Sequence, residues 1–269
     1  MLPYLHAEFL EVAPQVKLFY ESAGEGETLL FIPGWTMTSG IWKEQVNSFS
    51  KSYRVITIDP RSHGNSSKAV AQNTLQQHAR DLRKLIEDLK LPTVTLIGWS
   101  MAVGTILEYV NLYGNDRLNA LILVDGSPCP LKKEDWPFGM TAEEAYTTLM
   151  GYENQRTVQT NQFVDNMFKT DRPDSELDWI VNESLRTPTS VATVLAYDYF
   201  YLDRRPYLSK IGVPTLIIMT GETRGIGEYM NSKIQGSKLS IFEGLGHALF
   251  IEDPKKFNDQ VAAFLRSIQ

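Results

Sequence analysis

Ser100 is the residue of this chain best placed to do chemistry, because of its setting in Gly98-Trp99-Ser100-Met101-Ala102. A serine hydroxyl is a weak nucleophile until the backbone presents it and a neighbouring base takes its proton. Before the motif runs Thr93-Val94-Thr95-Leu96-Ile97, short, β-branched and apolar, as in a buried strand. After it, residues 102–110 pass from small side chains to larger apolar ones, as in a helix packed on a sheet. A serine between such elements sits on a sharp turn, strained by about 1–3 kcal/mol. Small residues are required two positions to either side, and Gly98 and Ala102 supply them. The hydroxyl is then exposed beside the positive end of a helix, where it can attack an acyl carbon.

A base must be found among four histidines, His6, His63, His78 and His247. His6 lies near the start of the chain, and His78 falls in the charged stretch Gln77-His78-Ala79-Arg80-Asp81; both are expected at the surface. His63, in Asp59-Pro60-Arg61-Ser62-His63-Gly64-Asn65-Ser66, reads as a turn former. His247 follows the last strand-like run in Glu243-Gly244-Leu245-Gly246-His247, where glycines permit close backbone approach. That loop leaves the carboxyl edge of a strand, the edge at which ligands bind in open α/β sheets. His247 is therefore the expected general base, taking the Ser100 proton and returning it to the leaving group.

The elements that must position these residues alternate along the chain. Two runs, residues 7–12 and 15–21, alternate sides and read as an antiparallel start. Strand-like runs follow at 28–32, 53–58, 94–97, 120–124, 215–219 and 238–242, the middle ones apolar almost throughout as parallel strands covered on both faces should be. Helical stretches lie near 40–50, 75–90, 101–113, 226–234 and 254–268, the last opened by Asp253-Pro254. The order implies an α/β fold, a doubly wound and mostly parallel sheet. Roughly ninety residues separate Asp125 from Pro214, far more than a crossover needs. The division is therefore a core of 1–126 and 203–269 with a helical cap, 127–202, inserted after the sixth strand. The cap's aromatics, among them Trp136, Tyr146, Tyr152, Phe163, Trp179, Tyr197 and Tyr199, are expected mostly to build its own core, the rest lining an apolar pocket.

The whole chain outside the cap resembles the α/β-hydrolase fold superfamily. The carriers, in order, are Phe31-Ile32-Pro33-Gly34-Trp35, the Asp59 to Ser66 loop, the nucleophile elbow around Ser100, and Gly246-His247. The likeness is to its small bacterial esterase, lactonase and cofactor-free haloperoxidase members. It implies an oxyanion hole from the backbone N–H groups of Trp35 and Met101, each contributing about 3–4 kcal/mol to the transition state. Three departures stand out. Pro33 replaces the usual histidine, Ala102 replaces the usual elbow glycine, and Gly221-Glu222-Thr223-Arg224 carries arginine where the family commonly has the triad aspartate. Some members place that acid after the preceding strand, where this chain has Val124-Asp125-Gly126-Ser127. Asp125 is the expected acid; Glu222 is the alternative and Glu228 a third. Asp125 could otherwise serve only to cap the turn at Ser127.

The expected function is a serine hydrolase cleaving a small to medium, largely apolar carboxylic ester or lactone through an acyl-enzyme. Alternatives are carbon–carbon bond hydrolysis by the same triad, or a ligand-binding or signalling protein with little turnover. A net charge of −6 and a pI near 5.3 argue against nucleic acid. Scattered histidines and no phosphate-cradling glycine loop imply no metal and no organic cofactor. Cys129 is the single cysteine, which excludes an internal disulfide. Residues 1–6 lack a signal-peptide pattern and no apolar run reaches the roughly 20 residues of a membrane helix, so the expectation is a cytoplasmic protein without membrane contact. Its expected partner is a small apolar substrate, the protein being a monomer or homodimer.

Overall fold

The computed structural model describes residues 6–269, so the reading of residues 1–5 for a signal peptide lies outside the described residues. In chain order the elements are β1 (His6–Ala13), β2 (Val16–Ala23), β3 (Thr28–Ile32), a 3-10 turn (Ser39–Trp42), α1 (Lys43–Phe49), β4 (Arg54–Asp59), α2 (Leu75–Asp88), β5 (Val94–Trp99), α3 (Met101–Tyr113) and β6 (Leu118–Val124). Then come α4 (Ala142–Asn154), α5 (Arg156–Asp165), α6 (Asp174–Leu185), α7 (Thr189–Tyr201), a second 3-10 turn (Arg205–Lys210), β7 (Thr215–Thr220), α8 (Arg224–Lys233), β8 (Lys238–Phe242), α9 (Leu249–Glu252) and α10 (Pro254–Arg266).

Eight strands form one sheet in the order β1-β2-β4-β3-β5-β6-β7-β8. β1 pairs antiparallel with β2, and β2 antiparallel with β4; every later pairing is parallel. The alternation of side chains along the central strands divides the core between two faces. Leu30, Leu96, Leu121, Leu123, Ile217 and Met219 face the layer containing α2 and α3. Leu29, Phe31, Ile97, Ile122, Val124, Leu216 and Ile218 face the layer containing α1 and α10. Both faces are dry, which is why these strands read as unbroken apolar runs.

Helices α4–α7 lie between β6 and β7, where the sequence predicts the inserted helices. α4 opens on a capping box in which the Thr141 hydroxyl accepts from the Glu144 N–H and the Glu144 carboxylate from the Thr141 N–H. Arg204, just after α7, donates to Glu108 of α3 at 2.8 Å and to Asp198 of α7 at 2.9 Å, ion pairs that join this segment to α3. Tyr146, Trp179 and Tyr197 are exposed and so do not build the core of the inserted helices. No helix among the described residues is long and apolar enough to cross a membrane.

Candidate active site

Every part of the site hangs from the carboxyl ends of β3, β5, β6 and β7 and from the loop after β8. Ser100 follows β5 directly and caps α3, with φ of 59° and ψ of −121°. That left-handed backbone costs about 1–3 kcal/mol and persists only where its surroundings over-determine it. They do so here. The Ser100 N–H donates to the Val124 carbonyl at 2.8 Å, and the Val103 N–H to the Ser100 carbonyl at 3.0 Å. Gly126 is pressed against the same turn: a Cβ there would stand 2.4 Å from the Ser100 carbonyl oxygen. Gly98 is closed off by the Ile106 side chain, 2.6 Å from where its Cβ would sit. The small residues around the elbow are thus a steric requirement.

His247 lies in the loop between β8 and α9. Its Nε2 is 2.9 Å from Ser100 Oγ and its Nδ1 is 2.7 Å from Asp125 Oδ2. The loop is positioned from both sides. The Trp99 indole N–H donates to the His247 carbonyl at 2.9 Å, and the two rings lie 5.0 Å apart. The Ala248 N–H donates to the Met167 carbonyl, and Gly246 fits so tightly that a Cβ would meet the Met167 backbone at 2.6 Å. Segment 167–169, between α5 and α6, is therefore packed directly on the histidine loop.

Asp125 follows β6 with φ of 40°, its N–H bonded to the Ile218 carbonyl of β7 at 2.8 Å. Its Oδ1 accepts from the Thr220 N–H at 3.1 Å and from the Thr223 hydroxyl. Burial works to raise the Asp125 pKa, but the hydrogen bond and charge of His247, with the threonine donors, outweigh it and hold the carboxyl below its ordinary value. Asp125 does not cap Ser127, whose N–H goes to the Tyr199 hydroxyl instead. Glu222 is exposed and bonds Lys169 at 2.6 Å, Arg224 pairs with Glu243 at the surface, and Glu228 is exposed. None of the three reaches His247.

Gly34 packs on the elbow, its would-be Cβ 3.2 Å from the Ser100 Cβ, which sets the Trp35 backbone beside Ser100. Among the described residues neither the Trp35 nor the Met101 amide N–H has an acceptor. Met101 is the first residue of α3, where such N–H groups are free by construction. The Trp35 indole donates to the Ala192 carbonyl of α7 at 2.8 Å, and its ring packs on Tyr152 and Phe163 at 4.3 and 5.3 Å.

The chain belongs to the α/β-hydrolase family. The family profile described as alpha/beta hydrolase fold matches residues 27–254. A non-heme chloroperoxidase of Kitasatospora aureofaciens is 27% identical over 93% of this chain and 96% of that protein. A pimeloyl-[acyl-carrier protein] methyl ester esterase of Nitrosomonas europaea is 27% identical over 88% of this chain and 95% of its own. The crystal structure of a bromoperoxidase from Bacillus anthracis superposes with a TM-score of 0.92 and 26% identity, covering 97% of this chain and 100% of that one. This α/β hydrolase is an enzyme of the hydrolase type.

Two expectations about histidines need revision. His78 is not at the surface: it is 4% exposed, on the inner face of α2, with its ring 5.7 Å from that of His63. Its i, i+4 relation to Leu82 and i, i+3 relation to Leu75 put it on the apolar stripe, a signal its charged neighbours obscured. His63 does serve a turn, but the turn is the one after β3: its Nε2 accepts from the Thr36 N–H at 3.1 Å. Burial pushes both imidazole pKa values down to about 3. Trp99 and Thr223 had no pattern to mark them, because their roles depend on which strands are neighbours. A cavity of about 750 Å³ lies between α6 and the first 3-10 turn, lined by Ile41, Asp59, Trp179, Glu183, Arg186 and Phe250 among others. It includes none of Ser100, His247 or Asp125, so the candidate site is marked by hydrogen-bond geometry and not by cavity size.

Proposed function

We propose that this α/β hydrolase cleaves a small to medium, largely apolar carboxylic ester or lactone through a serine acyl-enzyme. The observation that carries the reading is the continuous line from Ser100 Oγ through both nitrogens of His247 to Asp125 Oδ2, at 2.9 and 2.7 Å. In the first step Ser100 Oγ attacks the acyl carbon while its proton moves to His247 Nε2. The carbonyl oxygen, now negative, is received by the Trp35 and Met101 N–H groups. As the tetrahedral intermediate collapses, His247 Nε2 gives its proton to the departing alkoxide. A water molecule, deprotonated by the same nitrogen, then attacks the acyl carbon, and as the bond to Ser100 Oγ breaks Nε2 returns that proton to Oγ and the carboxylic acid leaves. Asp125 accepts from Nδ1–H throughout, holding the tautomer in which Nε2 is free to accept.

Residues 127–202 act in this reading as a cap over the carboxyl edge. Trp35, Met101, Leu149, Tyr152, Val191 and Leu195 form one apolar cluster spanning core and cap, which is why the acyl side is read as apolar. The test is p-nitrophenol release from acetate, butyrate and octanoate esters, comparing wild type with Ser100→Ala. Turnover that disappears in the variant supports the reading, and the chain-length preference sizes the acyl site. Ester turnover that is absent, or equal in both proteins, overturns it.

A further inference from the structure

Thr36 is a β-branched residue with φ of 57°, a conformation such side chains rarely adopt. Its peptide bond with Trp35 is gripped at both ends. On the nitrogen side, the Thr36 N–H donates to His63 Nε2 at 3.1 Å, while His63 Nδ1–H donates to the Arg61 carbonyl at 2.9 Å. His63 is fully buried and stays neutral down to about pH 3, so this acceptor persists at any working pH. On the oxygen side, the Thr36 hydroxyl donates to the Trp35 carbonyl at 2.7 Å. That hydroxyl has only one proton, so the Ser184 hydroxyl, 2.7 Å away, must donate to it. Ser184 in turn accepts from the Arg156 guanidinium, at 3.0 Å on its carbonyl and 3.4 Å on its hydroxyl.

The chain of donors runs in one direction, from Arg156 of α5 through Ser184 of α6 to Thr36 and the Trp35 carbonyl. Arg156 has no carboxylate partner among the described residues; its guanidinium lies 5.1 Å over the Trp35 ring and 5.9 Å over that of Tyr152. A partly buried cation donates more strongly than a neutral group would. Thr36 and Ser184 are both fully buried, so water does not compete for these bonds. Two further contacts fasten the same loop to the inserted helices, namely the Trp35 indole on Ala192 and the aromatic packing on α4 and α5.

We infer that Ser184, with Arg156 behind it, and His63 are positioning residues that clamp the Trp35–Thr36 peptide from the cap and from the core, which fixes the Trp35 Cα and through it the adjoining Gly34–Trp35 peptide, so that the aim of the Trp35 N–H depends on docking of the cap. The inference rests on the hydrolase reading above, in which that N–H receives the oxyanion. None of the three touches the reacting atoms. Removing a clamp therefore lowers kcat and leaves KM nearly unchanged, because the donor matters most when the oxygen is negative.

The experiment measures kcat and KM for p-nitrophenyl acetate in wild type, Ser184→Ala, His63→Leu and His63→Gln, with Ser100→Ala as the reference for the reaction itself. Each protein is also assayed with an ester and its thionoester, since sulfur is a poor acceptor and the oxygen-to-sulfur rate ratio reports on the oxyanion donors. The expected result is a fall in kcat of about tenfold or more in Ser184→Ala and His63→Leu. The oxygen-to-sulfur ratio falls with it. His63→Gln, which keeps an acceptor near the Nε2 position, recovers most of both. A fall in kcat with an unchanged ratio overturns the inference, as does His63→Gln behaving like His63→Leu. Should His63→Leu not fold, Ser184→Ala decides by the same ratio. Turnover independent of Ser100 refutes the hydrolase reading, and this inference falls with it.

Discussion

Replacing Asp125 by asparagine tests the site most sharply, because the two side chains have the same shape and differ only in charge and in what their terminal atoms can donate or accept. In wild type Oδ1 receives two donors, the Thr220 N–H at 3.1 Å and the Thr223 hydroxyl, while Oδ2 faces His247 Nδ1 at 2.7 Å. An asparagine must choose which end carries its NH2 group. Turned toward the threonines, that group would face the Thr220 N–H donor to donor, and the backbone cannot rotate away. Stranding a buried donor costs about 1–3 kcal/mol. The amide therefore keeps its oxygen at the threonines and presents NH2 to His247. Nδ1 must then accept, the imidazole proton moves to Nε2, and Ser100 loses its base.

The preference alone gives a loss of about fivefold to a hundredfold, since each 1.4 kcal/mol is a factor of ten. Loss of the carboxylate that stabilises the imidazolium adds to it, and wrong-tautomer variants of such triads lose roughly 10⁴-fold in kcat. The expected outcome is a fall of at least a hundredfold in kcat for p-nitrophenyl acetate, with the far-ultraviolet circular dichroism spectrum unchanged. A variant within tenfold of wild type, with Ser100→Ala inactive, would refute the assignment of Asp125 and the argument from the threonine pair together.

Three further outcomes follow from the same geometry. Gly126→Ala puts a Cβ 2.4 Å from the Ser100 carbonyl oxygen, a backbone atom with nowhere to go, so it lowers the melting temperature and the activity together; overpacking of this kind costs about 1–3 kcal/mol. Arg224→Ala and Glu222→Gln alter only exposed ion pairs, and each leaves kcat/KM within about twofold, as steady-state assays of the two variants would show. His63 and His78 stay neutral in the folded protein down to about pH 3, whereas in the unfolded chain each takes up a proton near 6.5. The unfolded state therefore binds more protons between those values. Stability falls as pH falls through that window, by up to about 1.4 kcal/mol per pH unit for each histidine. Urea unfolding at pH 7.5 and 5.5 measures the slope, and His78→Leu should make it shallower; an unchanged slope in that variant would show that His78 is protonated in the native state.

Much of this architecture is legible in the chain because it depends on local pattern. The central strands announce themselves since Ala120 to Val124, or Leu216 to Met219, must satisfy two dry faces at once. Ser100 is legible because its turn excludes a Cβ at Gly98, and His247 because its loop is cut by glycine. What escapes is whatever depends on which strands are neighbours. Asp125 and Glu222 each follow an apolar strand and are indistinguishable by sequence spacing alone. They part only in three dimensions, where the β6 end turns inward beneath His247 and Glu222 points out to Lys169. His63 escapes similarly: its own loop looks like the structure it supports, yet the atom it holds is the N–H of Thr36 in a different loop.

The arginine at the position where the resemblance leads one to expect an aspartate is then less of an anomaly than it looks in one dimension. β6 and β7 are adjacent and parallel, so their carboxyl ends open on the same side, and the Asp125 N–H is bonded to β7 itself. Residues after either strand therefore stand on the edge where the histidine loop lies, and it is Asp125, after β6, whose carboxylate meets His247. In the proposed assignment, with Asp125 as the acid, the end of β7 is left with a different task, because a buried carboxylate needs donors as well as its histidine. Thr220 and Thr223 supply them from where an acid would otherwise stand, and a second carboxylate there would repel the first. Arg224, the next residue, is free to turn outward and pair with Glu243. The stretch from Thr220 to Arg224 is thus the complement of an acid on the neighbouring strand, and restoring an aspartate at position 224 without removing Asp125 should add nothing to the rate.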